Sequence, residues 1–205
     1  MPRLSYHYVF EEGNDPAAPP LLLLHGTGVN EQDLLRLGHS LSPGSARLSP
    51  RGDVSEGGAL RFFARLVEGV FDPAEVTRRT HALGDFILTA TKQHGLDPGK
   101  LIAVGFSNGA NIAAPLLQLR PETLGAEILL RSMVVLNQLA AAGSLAGRRV
   151  LLLNGVVDPI VPADHPPRLA ELLRAGGAEV KLLLIQASHG LTLQDVAAAK
   201  AWLQT

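Results

Sequence analysis

The chain contains no cysteine. Disulfides, thiolate metal sites and a cysteine nucleophile are therefore all excluded. Surplus charge is also missing: 18 Lys and Arg stand against 19 Asp and Glu, a formal net charge of −1. Nothing in that balance draws the chain to nucleic acid or to an anionic membrane surface. Long apolar runs are absent as well. Stretches such as residues 150–153 are far too short to span a bilayer. The opening M-P-R-L-S-Y-H-Y-V-F-E-E-G carries no apolar core of leader length. The expectation is a soluble cytoplasmic protein with neither nucleic-acid nor membrane partners.

What is present reads as one globular α/β domain over residues 1–205. Of the 205 residues, 46% are hydrophobic and 18% charged, enough apolar content for a core without covalent staples. Short, continuous apolar runs at 21–24, 101–104, 128–130, 150–153 and 180–185 have the character of strands covered on both faces, as in a mostly parallel sheet. Between them lie helical patterns at 73–94, 108–119, 165–175 and 191–203. Strands alternating with helices imply βαβ crossovers, with helices on both faces of a central sheet.

One spacing carries chemistry. In V-G-F-S-N-G-A-N, Ser107 sits between Gly105 and Gly109, after a predicted strand and before a predicted helix. That is the setting in which a G-x-S-x-G turn presents a nucleophile at the carboxyl edge of a sheet. The alternative is a Gly-Ser turn with Ser107 as a plain helix cap. A base should follow in the order Ser, Asp or Glu, His. Only His165 and His189 follow Ser107. His189, in I-Q-A-S-H-G-L, lies just after the strand at 180–185, whereas His165 more naturally opens a surface helix. Asp158, in L-N-G-V-V-D-P-I-V-P, follows the strand at 150–153 on a loop stiffened by Pro159 and Pro162; Asp164 is the runner-up. A fixed carboxylate holds an imidazole tautomer and stabilises imidazolium.

L-L-L-L-H-G-T-G supplies a glycine-rich loop after a strand. There the backbone N–H of Thr27 joins that of Asn108 as the pair of oxyanion donors, with His25 ordering the loop. Candidate pocket residues are Gly28, Arg51, Phe62 and Phe63. The two phenylalanines either line the pocket or lie on an amphipathic helix as plain core, with core preferred. Arg51 and Arg131 each either meet a substrate anion or anchor a loop through a salt bridge. Residues 133–136 are either strand core or the contact of a homodimer. Between the strands near 128 and 150 there is room for a helix and a turn, so no large lid is expected and the site should be open.

Taken together, L-L-L-L-H-G-T-G, L-S-P-R-G-D-V, R-F-F-A-R-L, A-V-G-F-S-N-G-A-N-I-A, D-P-I-V-P and S-H-G-L-T resemble the bacterial phospholipase/carboxylesterase family of α/β hydrolases. Within it the likeness is to the small hydroquinone-associated carboxylesterases, with acyl-protein thioesterases more distant. The resemblance spans nearly the whole chain. It implies a serine carboxylesterase for small esters with Ser107, Asp158 and His189 as its triad, needing no metal and no cofactor. Val157, before the aspartate, and Ala187 and Ser188, before the histidine, depart from the residues common there. A thioesterase or lactone hydrolase would use the same triad. A hydrolase-fold binding protein that has lost catalysis usually lacks a triad member or an oxyanion glycine, and all are present here.

Overall fold

The computed structural model describes residues 5–205. Residues 1–4, part of the stretch read above for a leader, lie outside the described residues. The main strands are β1 (Tyr8–Glu11), β2 (Leu21–Leu24) and β3 (Arg47–Pro50), then β6 (Ile102–Phe106), β7 (Ala126–Leu130), β8 (Arg149–Gly155) and β9 (Glu179–Ile185). They form one seven-stranded sheet in the order β1-β3-β2-β6-β7-β8-β9. Only β1 runs antiparallel, against β3, with Tyr8 opposite Pro50 and Glu11 opposite Arg47. The other neighbours pair in parallel, so the carboxyl ends of β2, β6, β8 and β9 share one edge. A separate two-stranded hairpin, β4 (Val54–Glu56) with β5 (Ala59–Arg61), follows β3.

The continuous apolar runs make sense because successive residues of a strand point to opposite faces. Leu22, Leu24, Leu129, Val150 and Leu152 enter one apolar layer. Leu21, Leu23, Ile128, Leu151 and Leu153 enter the other. The first layer is closed by α2 (Pro73–His94), α3 (Asn108–Leu119) and α4 (His165–Ala175); the second by α1 (Leu35–Leu41) and α5 (Leu193–Leu203). Each leucine so buried contributes about 1.5–3 kcal/mol. A mainly parallel sheet with helices on both faces, and no large insertion, is an α/β-hydrolase fold.

Helix limits follow local chemistry. α2 begins where the Asp72 carboxylate accepts from the Ala74 N–H with Pro73 at the first helical position, and ends at Gly95 with φ +67°. α5 starts two residues later than the apolar pattern implies. Thr192 and Asp195 form a reciprocal capping box there, which fixes the first turn. The stretch between β7 and β8 forms turns rather than the helix for which it has room. The chain around Phe62 and Phe63 is likewise irregular, not an amphipathic helix. No described helix is long and apolar enough to cross a membrane.

Candidate active site

Ser107 is the single residue between the end of β6 at Phe106 and the start of α3 at Asn108. Its backbone is left-handed, with φ +51° and ψ −114°, a conformation costly for a residue with a side chain. Its N–H donates to the Leu130 carbonyl at 2.9 Å, which anchors the turn to β7. The flanking glycines are steric necessities. A Cβ at Gly105 would sit 2.6 Å from the Ala110 nitrogen, and one at Gly109 would overlap the Leu24 carbonyl. The start of α3 can therefore press onto β2 and β6.

Two loops from the same sheet edge reach this serine. Asp158, on the loop after β8, has a buried carboxylate whose side chain is 1% exposed. Its Oδ1 accepts from the Ile160 and Val161 N–H groups at 2.8 and 3.2 Å. Its Oδ2 accepts from Nδ1–H of His189 at 2.8 Å. The Ser107 hydroxyl donates to His189 Nε2 at 3.0 Å. A carboxylate can only accept, so it fixes the Nδ1–H tautomer and leaves Nε2 free to receive a proton. His165 lies elsewhere: its Nδ1 accepts from the Val134 N–H at 3.2 Å.

The His189 loop is gripped from beneath by Arg131, which is fully buried and left-handed, with φ +57°. Nε donates to the Ser188 carbonyl at 3.0 Å and Nη2 to the Gly190 carbonyl at 2.9 Å, one on either side of His189. Nη1 donates to the Leu153 carbonyl at 3.1 Å. Both terminal nitrogens also donate to Asp195, each at 2.7 Å. Burial pushes the Asp195 carboxyl up, but hydrogen bonds from Arg131 and Thr192 outweigh it and leave its pKa below the usual value. Of the two roles open to Arg131 from sequence, the structure places it as an anchor.

The backbone N–H groups of Thr27 and Asn108 have no protein acceptor among the described residues. Both residues line the cavity that holds Ser107 and His189. The Thr27 loop is braced from two sides. Gly28 N–H donates to the Leu60 carbonyl at 3.0 Å, and Arg61 Nη1 donates to Thr27 Oγ1 at 2.9 Å. His25 is buried; its Nδ1–H donates to the Gly26 carbonyl at 2.7 Å while Nε2 accepts from the Gly52 N–H at 2.9 Å. Burial lowers its pKa, as suits a neutral imidazole that orders the loop. The Asn108 side chain turns inward, its Oδ1 accepting from the Phe62 N–H at 2.7 Å.

The other pocket candidates lie off this cavity of about 300 Å³. Phe62 and Phe63 are core, at 1% and 0% exposure. Gly28, with φ +85°, serves the turn. Arg51 is paired with Glu31 through two hydrogen bonds of 2.5 and 2.7 Å, which hold the Glu31 carboxyl down to about 2. An anion would have to compete with that pair, and the salt-bridge alternative is the one the geometry adopts. Met133 lines the cavity, as do Arg61 and Arg65, which the sequence pattern did not single out. A larger cleft of about 980 Å³ opens at the opposite sheet edge, near Pro20, Ile102 and Ala126, away from the serine. Among the described residues no group of three or more His, Asp and Glu side chains could hold a metal ion.

No family model matches the chain. MhqD of Bacillus subtilis, a hydrolase by name, is 40% identical over 195 residues, which span 95% of this chain and 96% of that one. A solved carboxylesterase from Bacillus cereus has a TM-score of 0.94 at 40% identity, covering 98% of this chain and 94% of its own. A solved carboxylesterase from Mesorhizobium loti gives 0.92 at 31% identity, covering 100% and 97%.

Proposed function

Because this chain belongs to a bacterial α/β-hydrolase family related to carboxylesterases and phospholipases, one that includes MhqD, we propose that it is a serine carboxylesterase for small or short-chain esters. The observation that carries this reading is the unbroken hydrogen-bonded line from Asp158 through His189 to Ser107, with steps of 2.8 and 3.0 Å. In that line Ser107 is the nucleophile, His189 the general base and Asp158 its orienter.

Ser107 Oγ attacks the ester carbonyl carbon while its proton passes to His189 Nε2. Positive charge then develops on the ring, and Asp158 stabilises it at Nδ1. The carbonyl oxygen becomes an oxyanion received by the Thr27 and Asn108 N–H groups, each such donor worth about 2.7–4 kcal/mol to the transition state. The intermediate collapses, the bond to the alcohol oxygen breaks, and His189 returns the proton to the leaving alcohol. A water molecule, deprotonated by His189, attacks the acyl-enzyme. The acid departs and the Ser107 hydroxyl is restored. A cavity of about 300 Å³ stands at the small end of ligand sites, which favours short acyl groups.

Turnover of p-nitrophenyl acetate and butyrate by the wild type and by Ser107→Ala tests the assignment. Loss of all but a background rate in the variant supports it. Equal rates in the two proteins overturn it.

A further inference from the structure

One wall of the cavity has no part in the chemistry above. Arg61, the last residue of β5, lines it and is only 4% exposed. Its Nε donates to the Phe63 carbonyl at 3.1 Å and its Nη1 to Thr27 Oγ1 at 2.9 Å. Nη2 has no protein partner among the described residues. Glu56 forms an ion pair with Arg61, its Oε2 lying 3.4 Å from Nε, but makes no hydrogen bond to it and leaves the Nη2 side of the fork free. The other Glu56 oxygen is taken by Arg65 Nε at 2.9 Å, and Glu56 does not line the cavity. Arg65 stands on the same wall, about a third exposed, with Glu68 3.7 Å away and 69% exposed. Water screens the outer pair far more than the buried guanidinium.

Bracing Thr27 needs one donor, whereas a guanidinium brings five in a planar fork. Nη2 is not among the buried atoms left without a partner, so it is open to solvent on a residue that lines the cavity, where an incoming acceptor can meet it. A carboxylate matches that fork in shape and charge. The same side chain touches Thr27, whose N–H is the proposed oxyanion donor. A carboxylate on Arg61 would thus lie a short acyl chain away from the reacting carbonyl.

We propose that Arg61, with Arg65 towards the mouth, receives a carboxylate carried by the substrate, so that half-esters of short dicarboxylic acids are hydrolysed in preference to neutral esters of the same length. This rests on the esterase reading. The bond broken is still that between acyl carbon and alcohol oxygen, and the distal carboxylate is unchanged by the reaction.

The test compares kcat/KM for monomethyl glutarate and monomethyl adipate with that for neutral methyl esters of matching length. It uses the wild type, Arg61→Met and Arg65→Met, and titrates the acid released. The wild type should favour the half-esters about tenfold or more, and Arg61→Met should cut that ratio by about tenfold. Arg65→Met, at a position about a third exposed, should cut it about threefold and lose its effect in high salt. If Arg61→Met slows both ester classes equally, Arg61 only braces Thr27 and the subsite is overturned. Should Arg61→Met fail to fold, the Arg65→Met ratio decides, together with inhibition of wild-type neutral-ester turnover by glutarate against glutaramide. No drop in that ratio and equal inhibition overturn the subsite. A wild type that hydrolyses neutral esters without preferring half-esters overturns the subsite alone. One that hydrolyses neither and takes no serine-directed label overturns the esterase reading itself.

Discussion

Replacing Asp195 with alanine removes the only ion-pair partner of Arg131 among the described residues. The guanidinium stays where it is, fully buried, and two of its five hydrogen bonds vanish with the carboxylate. Breaking a buried pair from one side typically costs about 3–5 kcal/mol, against a total stability of about 5–15 kcal/mol for a domain. Urea unfolding followed by the fluorescence of Trp202, the single tryptophan and itself on α5, reads that loss directly. Converting both residues, Arg131→Met with Asp195→Leu, removes the stranded charge and should recover part of the stability, the lost α5 cap and the three carbonyl bonds accounting for the rest. Catalysis should not recover with it. Without the guanidinium, the Ser188 and Gly190 carbonyls lose the donors that bracket His189, and a base displaced by about 1 Å can lose about a hundredfold in rate. The double variant should therefore be more stable than Asp195→Ala, with kcat depressed and KM for a small ester little changed. A loss below about 1 kcal/mol in Asp195→Ala, or wild-type kcat in the double variant, would refute the reasoning.

Two further outcomes follow from burial. Glu127 on β7 is 0% exposed and neither of its oxygens has a partner among the described residues, so desolvation raises its pKa well above the usual carboxyl value. The folded chain then holds a proton that the unfolded chain releases, and stability is lost as pH rises from the ordinary glutamate range towards the folded pKa. Glu127→Leu should raise Tm clearly at pH 8 and much less at pH 4; equal shifts at both would contradict this. Gly109→Ala forces a Cβ against the Leu24 carbonyl, a backbone atom that cannot swing aside. It should cost about 4 kcal/mol or more, and a Tm within a few degrees of wild type would count against the packing described.

The sheet was legible because four of its strands hold continuous apolar runs and β9 one broken only by Lys181, and period-two alternation then sends their leucines into two layers. α2, α3 and α4 were legible to their ends because proline, glycine and the Ser107 turn mark their limits. Ser107, Asp158 and His189 were picked out by the G-x-S-x-G spacing, the chain order of serine, acid and histidine, and a place just beyond the carboxyl end of a parallel strand. The β4–β5 hairpin was not visible, since three-residue strands around Gly57 and Gly58 carry no periodic signal. With it went the place of Arg61. Nor can spacing reveal that Arg131 meets Asp195, 64 residues further along. The T-x-x-D capping box was the one local hint that Asp195 had a fixed position. Phe62 and Phe63 became core on an irregular stretch because β5 and the Asn108 side chain hold that backbone, and a helix is not needed to bury them.

Catalysis as proposed turns on one oxygen, that of the Ser107 hydroxyl. A fluorophosphonate probe should phosphonylate the folded protein at one site, and tryptic mass mapping should place the adduct on Ser107. His189→Ala should slow that labelling by orders of magnitude at unchanged fold. A folded wild-type protein whose Ser107 stays unmodified, or one labelled equally fast without His189, would contradict it.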